Sequence, residues 1–385
     1  MQVDVNNLTF EVTERVRGYL EKMAELGGSD LHLKANSKVR ARVNGEIVDI
    51  SDDEFPKQDA ITFAKELLRT RFPELIEKKN LDLVYIYDDV TRYRVNIFFQ
   101  MDGVSAVFRT IPDKKLTIDE LGLPEAIRKF TSMQRGLVLV TGVTGSGKST
   151  TLAAIIDEIN RTQKRHIITI EDPIEFIHKD AECIINQRSV GQDALDFHSA
   201  LKAALREDPD IILVGEMRDI ETVEMALHAA ETGHLVFSTL HTTDTSETIN
   251  RIIGMFPPEE QNRIRITLAT VLQGVVSQRL LKKESGGRIA ALEILFKTPR
   301  IDALIRENRD SEIFDALKEG KGIYQTQTFD QAIYDLIKSQ VIAEDEGLAN
   351  ATSPSDLKLQ LSNTDASNTD IGTSKESFIS IKRRD

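Results

Sequence analysis

The chain has 385 residues, a single cysteine and a formal net charge of −13 at pH 7. That acidic balance argues against a protein holding bare nucleic acid by counter-ion release. One thiol excludes an intrachain disulfide and any zinc site built from cysteines. Hydrophobic residues make up 40% and charged residues 29%, as in a globular protein of about two domains. No apolar run reaches the roughly 18 residues of a membrane span. The N-terminus, MQVDVNNLTFEV, lacks the basic-then-apolar order of a signal peptide. The expectation is a cytoplasmic protein without membrane insertion.

Residues 1–111 read as a small mixed α+β domain. A helix is expected near Glu11–Leu26, and SDLHLKANSKVRARVNGEIVDI alternates around Asn44-Gly45 as a hairpin does. AITFAKELLRTRFPELIEKK has helical periodicity interrupted by Pro73, and RYRVNIFFQMDGVSAVFRTI gives a second hairpin turning at Asp102-Gly103. The polar, Pro-flanked stretch at 112–122 reads as a linker. Over 123–361, the strands GLVLVT, HIITIE, DIILVGE and HLVFSTLH alternate with amphipathic helices, the pattern of a mostly parallel α/β sheet. The helix ETVEMALHAAETG closes on Gly233. After FPPEEQ the chain reads as largely helical to about residue 360, and residues 362–385 are too polar to bury a core and read as a disordered tail. Cys183, in AECIIN, reads as a small buried apolar residue.

The chemistry concentrates in GLVLVTGVTGSGKST, where Gly142, Gly147, Lys148 and Ser149 fit G-x-x-x-x-G-K-[ST]. A strand precedes the glycines and a helix follows them, so backbone N–H groups and the helix N-terminus face one anion. The candidate nucleotide-binding residues are Gly142, Thr144, Gly145, Ser146, Gly147, Lys148, Ser149 and Thr150. Lys148 would reach the β- and γ-phosphates of ATP, and Ser149 would hold Mg²⁺. Carboxylates arrive at strand ends, where parallel sheets bind ligands: Glu171, Asp172 and Glu175 after one strand, Glu216 after another. Hydrolysis needs one acid to organise the metal and its water and one to orient the attacking water. His234 and His241 flank a strand, about 23 Å apart at about 3.3 Å per residue. They cannot share a phosphate. His241 is at the carboxyl end, suited to sensing the γ-phosphate, and His234 is placed to orient a neighbour.

Together GVTGSGKST, ITIEDPIEF, ILVGEMRD and AETGHLVFSTLHTTD resemble the Walker A, Asp, Walker B and His boxes of the secretion ATPases of type IV pili and type II secretion. Within that superfamily the resemblance is to the retraction (PilT/PilU) branch. The tetracysteine insert of the extension and export members is missing, and GIYQTQTFDQAIYDLIKS resembles a retraction-branch C-terminal segment. The resemblance implies a PAS-like N-terminal domain, a RecA-like ATPase domain with a helical C-terminal part, and a homohexamer. It further implies a motor at the cytoplasmic face of the inner membrane, retracting a pilus through a PilC-like platform protein, with a paralogous retraction ATPase as a further partner. By the same resemblance, Glu216 supports the metal and its water, Glu175 is the general base, and Arg94 and Arg109 reach a nucleotide from the N-terminal domain. One departure stands out: where the branch carries A-I-R-N-L-I-R-E, this chain has RIDALIRE, with Asp302 and Ala303. A PilU-like accessory, or an extension or type II secretion ATPase, stays open as an alternative.

Overall fold

A computed structural model describes residues 8–88, 91–111 and 117–369. In the N-terminal part α1 (Glu11–Glu25) precedes β1 (Asp30–Lys34), β2 (Ser37–Val43) and β3 (Glu46–Phe55). There follow α2 (Lys57–Leu68), α3 (Phe72–Lys78), β4 (Asn80–Ile86), β5 (Arg92–Gln100) and β6 (Gly103–Ile111). The six strands form one antiparallel sheet in the order β3-β2-β1-β6-β5-β4. Alternation explains its two faces. Leu31, Leu33, Val39, Ala41, Val95, Ile97 and Phe108 point into a core shared with Leu20 and Met23 of α1 and Phe63 of α2. Each such buried large side chain contributes about 1.5–3 kcal/mol.

The remaining chain begins with α4 (Arg128–Thr131), β7 (Gly136–Thr141), α5 (Lys148–Thr162), β8 (His166–Glu171) and β9 (Ile184–Ser189). It continues through α6 (Phe197–Ala204), β10 (Ile211–Val214), α7 (Ile220–Glu231), β11 (Leu235–Leu240), α8 (Thr245–Gly254) and α9 (Pro258–Val271). Then come β12 (Leu272–Lys282), β13 (Arg288–Phe296), α10 (Pro299–Arg306), α11 (Ile313–Tyr324), α12 (Phe329–Lys338), α13 (Glu344–Asn350) and α14 (Pro354–Thr369). Two compact units emerge, Met1–Lys115 with Asn160–Gly215, and Leu116–Ile159 with Glu216–Asp385. Besides its antiparallel sheet, the first unit holds the parallel ladder β10-β8-β9. In the second unit β7 pairs in parallel with both β11 and β12, and β13 closes the edge antiparallel to β12. β7, β8, β10 and β11 are buried almost throughout, as expected of parallel strands covered on both faces. α6, α7 and α8 each start on an aspartate cap, at Asp196, Asp219 and Asp244, which turns the chain from the preceding loop into the helix.

Several expectations shift. The stretch after FPPEEQ is not simply helical: Leu272–Phe296 forms the β12–β13 hairpin, turning at Gly286 and Gly287, both at positive φ. The β-branched run and Gly-Gly turn outweigh the helix-compatible leucines once β7 offers a pairing edge. β4 and β9 are strands beyond the expected ones, and β1 makes a third strand of the stretch expected as one hairpin. The second hairpin turns at Met101-Asp102, with Gly103 (φ 137°) paired to Gln100, one residue earlier than expected. Of the expected linker at 112–122, residues 112–116 lie outside the described residues, while Ile118 within it is fully buried. Helix α14 runs on to Thr369, past Leu361; residues 370–385 of the expected tail lie outside the described residues. Cys183 is buried, its Sγ donating to Gln163 O at 3.0 Å. No helix among the described residues is long and apolar enough to cross a membrane.

Glu293 on β13 is buried, and its Oε1 accepts from Thr245 N and Oγ1, both at 2.9 Å, at the start of α8. Burial pushes this carboxyl above its ordinary value, against those hydrogen bonds. The native state therefore binds the proton more tightly than the unfolded chain, and stability declines as pH rises from the ordinary carboxylate range through the raised value. Glu293→Gln keeps an oxygen for both Thr245 bonds and abolishes that decline. The melting temperature at pH 7.5 is expected to rise by about 2–4 °C for each kcal/mol regained, and the gain to vanish near pH 4. A lower melting temperature at pH 7.5 would show that the ionised carboxylate stabilises α8.

Candidate nucleotide site

The phosphate loop leaves β7 at Gly142 and enters α5 at Lys148. Gly142, Gly145 and Gly147 have φ of 145°, 79° and 90°, a region that L side chains rarely adopt. Space also dictates glycine at Gly142, where a Cβ would lie 2.5 Å from Ser146 Oγ and 2.6 Å from Gln278 O. Lys148 is buried, with Nζ donating to Gly142 O at 2.8 Å and Val143 O at 3.2 Å, so its ammonium spans the loop mouth. A hollow of about 370 Å³ opens beside the loop, lined by Gly142, Gly145, Ser146, Gln278, Arg279 and Arg288. Thr144 and Gly145 are exposed at the loop's tip, and Ser149 and Thr150 form the first turn of α5.

Around the same loop, His241 joins two of the sequence boxes. Its Nδ1 is 3.4 Å from Thr144 Oγ1, and its Nε2 is 3.3 Å from Glu216 Oε1. Arg218 Nη2 holds the other Glu216 oxygen at 2.7 Å. A backbone bond from Met217 N to Thr239 O, at 3.2 Å, ties the segment carrying Glu216 to the end of β11. Burial alone would push the Glu216 carboxyl up; the Arg218 hydrogen bond and the charges of His241 and Arg218 outweigh it and hold the group below the ordinary carboxylate range. Beneath lies a chain of hydroxyls: Ser277 to Thr141 at 2.8 Å, Thr141 to Thr248 at 3.4 Å, and Thr248 to Thr242 at 2.7 Å. It pins the start of the phosphate loop to the segment that follows His241. His234, by contrast, is spent locally, with Nδ1 3.0 Å from Ala229 O at the end of α7.

The other carboxylates belong to the first unit. Glu171 Oε1 accepts from Thr169 Oγ1 at 2.6 Å and Gln187 Nε2 at 3.3 Å, and the backbone N–H of Glu175 also hydrogen-bonds its carboxyl. Desolvation pushes Glu171 above the ordinary range against these bonds. Glu175 follows with its side chain exposed. Arg94 and Arg109 lie directly opposite each other on β5 and β6, on the sheet face away from the core. Like charges so paired are unfavourable. Asp30, only 4% exposed, offsets them by accepting from Arg109 Nε at 2.7 Å, while the Arg109 side chain stays 68% exposed. Asp30, Arg218 and Gln278 are functional candidates that sequence reasoning missed. Arg218 was legible two residues after Glu216; Asp30 and Gln278 join their partners only through strand pairing.

The loop fits a nucleotide: three glycines at positive φ shape it beside a hollow of about 370 Å³, and Lys148 supplies the charge. Ser149 and Glu216 supply a hydroxyl and a carboxylate, donors of the kind that suit Mg²⁺. Such an ion takes most of its ligands from water and phosphate, and among the described residues no cluster of three or more His, Cys, Asp or Glu side chains forms a cage.

The chain is similar to known proteins over most of its length. A profile of the family described as Type II/IV secretion system protein matches residues 11–340. The type IV pilus retraction ATPase PilT of Pseudomonas aeruginosa is 47% identical over 335 residues, 86% of this chain and 96% of that protein. The type IV pilus ATPase PilU of the same organism is 38% identical, over 89% of this chain and 90% of its own length. A crystal structure of the pilus retraction motor PilT with bound ADP superposes with a TM-score of 0.83 at 42% identity, covering 89% of this chain and 98% of that one.

Proposed function

Since the chain belongs to the Type II/IV secretion system protein family, we propose that it is a Mg²⁺-dependent ATPase motor that retracts a type IV pilus. The observation that carries the reading is the joining of phosphate loop, Glu216 and His241 through the contacts from Thr144 to His241 and from His241 to Glu216. The N-terminal domain is read as PAS-like and the remainder as RecA-like. The domain bounds proposed are 1–111, a linker at 112–122, 123–361 and a tail at 362–385.

In this mechanism the loop amides and Lys148 bind the β- and γ-phosphates; Ser149 and, through water, Glu216 would hold Mg²⁺, which would supply positive charge to the phosphate oxygens. Glu175 orients the attacking water and accepts its proton. His241, poised between Thr144 and Glu216, senses whether the γ-phosphate is present. Arg94 and Arg109 supply positive charge to the transition state. The working form is a homohexamer at the cytoplasmic face of the inner membrane, passing movement to a PilC-like platform protein. A second reading, a PilU-like accessory partnered with a paralogous motor, is favoured by α10, where Asp302 pairs with Arg306 at 2.7 Å within the altered RIDALIRE segment.

Turnover per subunit is expected to rise steeply with protein concentration as hexamers form. In assembled protein, Arg109→Ala should lower kcat by about 10³-fold or more, the range of an arginine that stabilises phosphoryl transfer. A dilution series at fixed ATP, with light scattering for mass, tests both statements. Dilute monomers as active as concentrated protein would remove the oligomer-dependent site. In cells, a deletion strain that still retracts its pili would favour the accessory reading.

A further inference from the structure

We propose that Gln278 is a positioning residue for the nucleotide, fixing the phosphate loop from beneath; the proposal rests on the nucleotide-binding reading of that loop. β12 runs parallel to β7 with Ser277 opposite Thr141, so the chain after Ser277 passes under residues 142–147. Gln278 meets the loop at three places. Its Nε2 donates to the carbonyl oxygen of Ser146. Its own carbonyl oxygen lies 2.6 Å from where a Cβ of Gly142 would stand, and its Nε2 3.0 Å from that of Gly147. In a planar trans peptide the C=O and N–H point opposite ways. Drawing the Ser146 carbonyl down onto Gln278 therefore turns the Gly147 N–H toward the open side of the loop, where phosphate oxygens are received.

Stability does not account for an amide at this position. Gln278 is 2% exposed, on a strand whose Val275, Val276 and Leu281 are all fully buried. Its Oε1 and the nearby Ser146 Oγ are both buried without a hydrogen-bond partner among the described residues. A buried carbonyl left unsatisfied is unfavourable, and an apolar side chain of similar length would avoid it. What an apolar side chain cannot do is hold the Ser146 carbonyl.

Gln278→Met separates the two roles, because it keeps length and removes the amide. In the full chain, the dissociation constant for ADP by calorimetry and KM for ATP are both expected to rise about tenfold, the worth of one hydrogen bond. With the contact engaging ground and transition states alike, kcat should stay within about threefold. The melting temperature should change little, because removal of the unsatisfied Oε1 offsets the donor that Ser146 O loses. Gln278→Leu serves as the second variant and should behave the same way. ADP affinity equal to wild type in either folded variant overturns the proposal. So does loss of folding in both, which would make Gln278 structural. Failure of the wild-type chain itself to bind ADP would instead overturn the nucleotide reading, and this proposal with it.

Discussion

Lys148→Ala is expected to lower ATP turnover by about 10²–10³-fold, the cost of removing one preorganised donor from developing charge, and to weaken nucleotide binding in parallel. Lys148 is the loop's own cation, and its Nζ already rests on Gly142 O and Val143 O at the mouth. Its removal strips positive charge from the site without opening a core: α5 continues on Leu152, Ile155 and Ile159, all buried. The structural cost includes the two carbonyls that lose a donor. Val143 is exposed and water can serve it, which leaves Gly142 O at about 1–3 kcal/mol. Circular dichroism should therefore report a folded chain. Turnover within tenfold of wild type would sink the assignment of the loop.

The second large effect comes from a pair of variants, Glu216→Gln and Glu175→Gln, which separate metal support from base catalysis. Glu216 is held below the ordinary carboxylate range, so it is ionised throughout the neutral region. The stability tied to that ionisation is present above about pH 4.3 and is lost as pH falls through the lowered value. Glu216→Gln removes the charge that Arg218 and His241 both face. Turnover should fall on the order of 10²–10³-fold, with a higher Mg²⁺ concentration needed for half-maximal rate. Glu175→Gln should lower kcat by about 10²–10⁴-fold, the contribution of a general base, with nucleotide affinity and Mg²⁺ dependence unchanged. Steady-state kinetics across an Mg²⁺ series and ADP calorimetry on both variants decide the matter. Should Glu175→Gln lose affinity as severely as turnover, it serves binding, and the base lies elsewhere.

Local chemistry made a large part of this protein legible from its residues. The phosphate loop was readable because three glycines, a lysine and a serine stand at fixed spacing between a strand and a helix, and the structure puts those glycines at positive φ. The strands carrying Glu171, Glu216 and His241 were readable as short apolar runs between helices, and α1, α2 and α7 from their periodicity. Other features arise from contacts between distant stretches of chain, to which a local pattern is blind. LQGVVSQRLLK carries leucines that suit a helix and valines that suit a strand; the pairing of β12 with β7 and β13 decides between them. That pairing brings Gln278 beneath Ser146, 132 positions away in the chain. Strand register alone sets Arg94 against Arg109 and Asp30 beside them, and the ends of β7 and β11 put His241 between Thr144 and Glu216. The sequence by itself determined the groups that the motifs carry, because motif spacing is a local property. Which groups touch was decided by the tertiary structure, because hydrogen-bonded strands and buried hydroxyls join residues by register and not by proximity along the chain.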